Sequence, residues 1–94
     1  MRRLSAQELA AEPRILVLDE PTHGVDVGTK ADVHRTISHL ATQGLTILLI
    51  SSELPEILGM SDRILVMHEG EIAGELPWEQ ATEEKIMWLA TGGE

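Results

Sequence analysis

Apolar residues along the chain form short continuous runs separated by a helical stripe. Residues 14–18 and 45–50 are dominated by such runs, which are typical of strands buried on both faces of a parallel sheet. Between them, residues 29–42 carry apolar side chains at helical spacing, and Gly44 follows as a natural helix stop. This order predicts a strand, a helix and a second strand.

Further elements are predicted on both sides of this unit. They are a helix at residues 4–11, a short helix at 53–60, strands at 63–67 and 71–76, and a closing helix at 82–90. Ser5 and Glu8 have the spacing of a capping box, Pro13 ends the first helix, and Glu69–Gly70 is typical of a hairpin turn. The alternation predicts an α/β fold with a mainly parallel sheet flanked by helices, followed by a β-hairpin and a helix.

Composition limits the size and nature of the core. With 94 residues the chain builds one modest core, and without Phe or Tyr that core must be largely aliphatic. This composition indicates that the residues form part of a larger hydrophobic core. The two tryptophans, Trp78 and Trp88, are predicted to cover the hairpin together with Ile86 and Leu89. The absence of cysteine excludes disulfides, cysteine-ligated zinc and a thiol nucleophile.

The net charge of −9 argues against nucleic acid as a primary partner, since Arg2–Arg3 is the only basic cluster. The apolar runs are too short to span a bilayer. Acidic residues follow Arg2–Arg3 where a secretory signal would be apolar. We therefore expect a cytoplasmic protein.

Two carboxylates stand at the end of the first predicted strand, Asp19 and Glu20. Right-handed crossovers place Leu18 and Ile50 at the same sheet edge, where such folds bind ligands. One carboxylate can then serve a Mg²⁺ site while the other orients or deprotonates a water. A strand that ends in acidic residues at a solvated edge is the structural alternative.

The sequence around these carboxylates resembles a known family. Residues 18–30 read LDEPTHGVDVGTK and residues 49–70 read LISSELPEILGMSDRILVMHEG. These strings resemble the Walker B, D-loop and switch regions of the ATP-binding proteins of ATP-binding cassette (ABC) transporters, which are P-loop NTPases. They are most similar to the second nucleotide-binding cassette of the monosaccharide (ribose, xylose, galactose or rhamnose) import branch. The resemblance extends from about residue 13 to about residue 92.

The resemblance implies a role for four residues. Asp19 helps to hold Mg²⁺ through its water shell, and Glu20 is the catalytic residue that polarises the attacking water. Asp26 is the D-loop aspartate, which in the family contacts the other nucleotide site. The family's switch histidine falls at Ser52, whose hydroxyl cannot supply a charged donor, so this half-site is expected to be impaired. By its position alone, Ser52 is also predicted to be the N-cap of the helix at residues 53–60.

The phosphate-binding motifs of the family are missing from this sequence. No Gly-x-x-x-x-Gly-Lys-Ser/Thr string occurs, and residues 24–30 have the wrong glycine spacing and order, so Lys30 is predicted to be a solvated helix residue. Residues 4–7 lack the glycines of the signature motif. Residues 1–94 are therefore predicted to be a partial nucleotide-binding domain, from Walker B to the C-terminus, without Walker A and the signature.

The histidines do not have the spacing of a metal site. His23, His34, His39 and His68 include no pair four residues apart and no His-Glu-x-x-His pattern, so they are predicted to be exposed. His23 differs because it lies in the D-loop, where it could contact a partner cassette.

The implied function is that of the C-terminal portion of an ATP-binding subunit, which couples ATP binding and hydrolysis to monosaccharide import. ATP and Mg²⁺ are its cofactors, and its partners are the other nucleotide-binding cassette and transmembrane permease subunits. The implied location is peripheral, on the inner face of the cell membrane, with membrane contact only through the permease. The chain alone is expected to be catalytically incompetent.

Two alternatives remain. The chain could be a non-catalytic α/β interaction module that binds a partner ATPase or permease. It could also be an unrelated acidic hydrolase that uses Asp19 and Glu20, although that leaves the resemblance of residues 51–70 unexplained.

Overall fold

A computed structural model describes residues 14–93 of the chain. The helix predicted at residues 4–11 and its capping box lie outside the described residues. The chain divides into two compact units, of which the first ends at Ser52 and the second begins at Glu53.

The first unit is a strand–helix–strand arrangement. Strand β1 (Ile15–Asp19), helix α1 (Val27–Thr42) and strand β2 (Thr46–Ile50) follow one another, and β1 pairs with β2 in parallel. Helix α1 buries Ile37 and packs against β2. The helix begins two residues before the predicted start, and it ends near Gly44, which has the left-handed φ of 92° typical of a helix terminus.

The second unit contains the predicted hairpin. Its elements are helix α2 (Leu54–Met60), strands β3 (Arg63–His68) and β4 (Glu71–Pro77), a 3₁₀ turn (Trp78–Gln80) and helix α3 (Glu83–Ala90). Strands β3 and β4 are antiparallel, with positive φ at both Glu69 and Gly70 in the turn. Three buried residues, Ile64, Val66 and Ile86, form the core between the hairpin and α3.

The α/β fold class is confirmed, with a parallel pair followed by a hairpin and a helix. In the described part of the chain the four strands form two separate two-stranded sheets. The prediction that the first two strands are buried on both faces is wrong. Exposed and half-buried residues alternate along β1 and β2, because helix α1, which packs against β2, shields one face of the pair.

Side chains near α3 differ in part from the prediction. Ile86 and Leu89 pack against the hairpin, whereas Trp78 and Trp88 remain 55% and 54% exposed. The Trp78 indole N–H donates to the Leu58 carbonyl at 2.9 Å. His34 and His68 were predicted to be exposed, but both are half-buried. The Nδ1 of His68 donates to the Ala90 carbonyl at 2.8 Å. No helix within residues 14–93 combines the length and apolar character needed to cross a membrane.

Candidate functional site

The carboxyl ends of β1 and β2 lie at one edge of their sheet. Asp19 is opposite Ile50 in the register, and the backbone N–H of Glu20 donates to the Ile50 carbonyl at 2.7 Å. The prediction that Leu18 and Ile50 reach the same edge is therefore confirmed. Asp19, at the end of β1, has an exposed side chain.

Glu20 has an uncommon backbone conformation. Its φ is 49°, in the left-handed region that costs an L-residue about 1–2 kcal/mol. Pro21 follows directly and disfavours the right-handed helical region at Glu20. The bond to Ile50 and a second bond, from the His23 N–H to the Glu20 carbonyl at 3.1 Å, hold this conformation. Strain alone is not specific to the site, since Glu69 in the hairpin turn has a φ of 48°.

The side chains of Ser52 and Glu20 contact each other at this edge. The Ser52 hydroxyl donates to Oε2 of Glu20 at 3.4 Å, which is a long hydrogen bond. The prediction that Ser52 caps α2 is wrong, because the N-cap is Glu53 and makes no side-chain capping bond. The Ser52 hydroxyl is directed instead at the carboxylate that follows the neighbouring strand.

Asp26 serves as the N-cap of α1. Its Oδ1 accepts the Thr29 backbone N–H at 2.8 Å, which explains why the helix begins at Val27. This hydrogen bond from Thr29 holds the pKa of the Asp26 carboxyl below its ordinary value. The side chain is exposed, so a D-loop contact to another cassette stays a prediction.

Comparison with curated proteins gives matches over nearly all of the chain. It is 61% identical over 87 residues to the ribose import ATP-binding protein RbsA 2 of Streptomyces avermitilis. It is 60% identical over 89 residues to RbsA of Rhodococcus jostii, and 57% identical over 88 residues to the xylose import ATP-binding protein XylG of Thermoanaerobacter pseudethanolicus. These matches cover 93–95% of this chain but only 17–18% of the relatives. No family model matches the chain.

Solved structures of ATP-binding cassettes are also similar to the chain. MJ1267, an ATP-binding cassette of an ABC transporter, superimposes with a TM-score of 0.66 at 29% identity, over 82% of this chain and 32% of MJ1267. Its ADP conformation gives a TM-score of 0.63 at 31% identity, over 85% of this chain and 30% of that structure. These residues belong to the ABC transporter ATP-binding protein family. The chain is thus an ABC segment that spans under a fifth of the curated relatives' length.

The donor set of the ABC segment fits part of a Mg²⁺ site. Asp19 and Glu20 place carboxylate oxygens at one strand edge, and oxygen is the ligand type that Mg²⁺ takes. Within residues 14–93, no group of three or more His, Cys, Asp or Glu residues is arranged to hold a metal. Mg²⁺ in nucleotide sites is typically held by one or two carboxylates and the substrate phosphates. The two carboxylates therefore fit the protein's share of such a site.

The burial of Thr22 and the hydrogen bond accepted by the Ile50 carbonyl were not predicted from the sequence. Thr22 is 2% exposed, and its carbonyl accepts the Val25 N–H at 3.3 Å in the turn after Glu20. Ile50 contributes its backbone carbonyl rather than its side chain. The burial of a polar turn residue cannot be predicted from hydrophobic periodicity. A backbone hydrogen bond cannot be predicted from residue type, because every residue has a backbone carbonyl. Pro21 was the available signal for unusual backbone at Glu20, but it does not specify the left-handed region.

Proposed function

We propose that this ABC segment supplies the carboxylate half of an ATP site in the ATP-binding subunit of a monosaccharide importer. The observation that carries the proposal is the contact of Glu20 with Ser52 at the end of the parallel strands. It occurs in a chain 57–61% identical to ribose and xylose import ATP-binding proteins. In this reading residues 1–94 form a partial nucleotide-binding domain.

Each proposed residue has a distinct task. Glu20 accepts a hydrogen bond from the attacking water and polarises it, with its backbone held by Ile50 and His23. Asp19 would help to hold Mg²⁺, which when bound would supply positive charge to the transferring phosphoryl group. Ser52 contributes a neutral hydroxyl where the family pattern has a histidine, which weakens this half-site. Asp26 presents its exposed carboxylate towards the other cassette.

The partners follow from the family. We propose that a second nucleotide-binding cassette closes on this one with ATP between them. We also propose that closing and reopening of the two cassettes drives transmembrane permease subunits. The chain then works at the inner face of the cell membrane through the permease. The sequence contains no glycine-rich phosphate loop, so we expect the chain alone to show no ATP turnover above background and weak nucleotide binding.

The test replaces the matching segment of Rhodococcus jostii RbsA, which is 60% identical, with this chain. ATP turnover and nucleotide binding are measured for the free chain and for the chimera. In the chimera we expect Ser52→His to raise turnover. In that background Glu20→Gln should lower turnover about a hundredfold or more, as the loss of a catalytic base does.

Glu69→Gln is the matched control, because Glu69 is the same residue type and has almost the same left-handed φ, 48° against 49°. It should leave turnover unchanged. Vigorous hydrolysis by the free chain would contradict the proposal. Equal turnover of the chimera with Glu20 and with Gln at that position would exclude Glu20 as the base.

A further inference from the structure

The loop that joins β1 to α1 is fixed at both ends. At its start, the Glu20 N–H donates to the Ile50 carbonyl at 2.7 Å. At its end, Asp26 caps α1 by accepting the Thr29 N–H at 2.8 Å. The loop therefore carries one carboxylate at each end, and its conformation decides where Glu20 is held.

Thr22, in the middle of this loop, belongs to two overlapping turns. In the first turn the His23 N–H donates to the Glu20 carbonyl at 3.1 Å, and in the second the Val25 N–H donates to the Thr22 carbonyl at 3.3 Å. Gly24, the third residue of the second turn, has a left-handed φ of 77° that glycine adopts readily. Thr22 is the third residue of the first turn and the first residue of the second, so both turns run through it.

Thr22 is also the most deeply buried residue in the part of the chain that the structure describes. It is 2% exposed, compared with 4% for Ile64, the most buried hydrophobic residue. Loop residues normally lie at the surface, and the neighbouring Pro21 and His23 are half-buried and exposed, respectively. A buried hydroxyl is normally hydrogen-bonded. The side chain of Thr22 therefore has the features of an anchor for the loop.

The backbone of Glu20 needs such an anchor. Its left-handed φ of 49° is unfavourable for a residue with a side chain, and such a conformation persists only when the surrounding structure holds it. Glu69 has almost the same φ, but the paired strands β3 and β4 hold it on both sides. Glu20 follows a strand on one side only, so on the other side the loop itself must hold it.

We propose that Thr22 is a positioning residue, whose buried side chain fixes the loop so that the Glu20 carboxylate stays at the strand edge. This rests on the proposed function, in which Glu20 polarises the attacking water. In this role Thr22 acts through Glu20 and does not contact the reacting atoms. Small displacements of a catalytic group cost large factors in rate, so a loosened loop should lower kcat. The KM for ATP should change little, because the phosphate-binding loop lies outside this sequence.

A double-mutant cycle tests this role in the chimera with Rhodococcus jostii RbsA that carries Ser52→His. Thr22→Ala should lower kcat about tenfold with little change in KM. Thr22→Ser keeps the hydroxyl and should restore most of the rate, whereas Thr22→Val keeps the shape without the hydroxyl and should behave like Thr22→Ala. Combined with Glu20→Gln, Thr22→Ala should have no further effect, because a positioning residue acts only through the group that it holds.

Ile37→Val is the matched control. Ile37 is buried in the same unit as Thr22 but lies in α1, outside the loop. The loss of one buried methyl group lowers stability slightly and should leave kcat unchanged. An equal loss of kcat for Thr22→Ala with Glu and with Gln at position 20, which a purely structural role predicts, would overturn the proposal.

Hydrogen exchange separates this proposal from the proposed function, because it does not depend on ATP hydrolysis. The peptide that contains residues 20–26 is followed by mass spectrometry without ATP. Thr22→Ala and Thr22→Val should speed exchange of the His23 and Val25 amides at least about fivefold, whereas Thr22→Ser and Ile37→Val should not. Unchanged exchange would overturn the proposal. Turnover that does not respond to Glu20→Gln would refute the role of Glu20 in hydrolysis, while faster exchange would still support Thr22 as the residue that holds the loop.

Discussion

At the scale of single residues, Asp26 has a folding role that can be measured apart from nucleotide chemistry. Its carboxylate accepts the Thr29 N–H at the start of α1, and this bond lowers the pKa of Asp26. A carboxyl with a lowered pKa in the folded state stabilises the fold at neutral pH. That contribution is lost as the pH falls through the folded-state pKa of the group.

We therefore expect Asp26→Ala to lower the melting temperature at pH 7, with the difference from the wild type shrinking as the pH is lowered below about 4, the ordinary pKa of an aspartate. Asp26→Asn keeps an acceptor oxygen and should retain more of the stability at pH 7 while losing the acid dependence. Thermal melts followed by circular dichroism measure both effects. Asp32→Asn on the same helix is the control, since Asp32 pairs with the exposed Arg35 and this exposed pair should matter little. Identical melting of Asp26→Ala and the wild type at pH 7 would contradict the capping role.

At the scale of elements, strand and helix order was predictable from the sequence because apolar periodicity and turn residues are local signals. Glu69–Gly70 marked the hairpin, and the predicted bounds of β2 and α3 differ from the structure by one residue. The strand ends at Asp19 and Glu20 were predictable for the same reason. Burial of β1 and β2 was not, because it depends on which elements are present to cover them. The bond from Ser52 to Glu20 joins residues 32 apart in sequence, which no local pattern reports.

The packing of α3 on the hairpin depends on a glycine that the sequence did not single out. A Cβ at Gly74 of β4 would lie 2.8 Å from Leu89 Cδ1 and 2.9 Å from Leu89 Cδ2. Because these atoms end a flexible side chain, Leu89 can move, but only by disturbing the contact between α3 and the core. Gly74 therefore sets how closely α3 approaches β4.

We expect Gly74→Ala to lower the free energy of unfolding by about 1 kcal/mol, and Gly74→Val by up to about 3 kcal/mol, which is the usual range for overpacking. Adding Leu89→Ala to Gly74→Val should cost less than the sum of the two single changes, because the smaller side chain makes room for the larger one. Urea titration measures these values. Gly59→Ala in α2 is the control, since a Cβ there meets nothing within 4 Å and should stabilise the helix by about 0.5–1 kcal/mol. Additive effects at positions 74 and 89 would contradict the proposed close approach.

At the scale of the whole molecule, exposed apolar surface decides between a cassette segment and an autonomous module. Among residues 14–93, four hydrophobic side chains are buried, while eleven large ones are exposed, including Val17 on β1 and Leu48 on β2. A domain that functions alone rarely leaves so much apolar surface in contact with water. A segment of a cassette is expected to have such a surface, because the residues that cover it belong to other parts of the cassette.

We expect the free chain to unfold with a free energy below about 5 kcal/mol, the lower end for native domains, with a broad urea transition. It should also bind a hydrophobic dye and associate as its concentration rises, because the unpaired strand edges and the exposed apolar side chains of β1 and β2 favour contacts between copies. Replacing Val17 and Leu48 with Thr, which keeps strand propensity, should reduce dye binding and association more than Met87→Thr does. Sedimentation velocity and dye fluorescence measure this. A monodisperse chain with a sharp, cooperative transition would instead favour the independent interaction module, because such a module must be stable before it meets its partner.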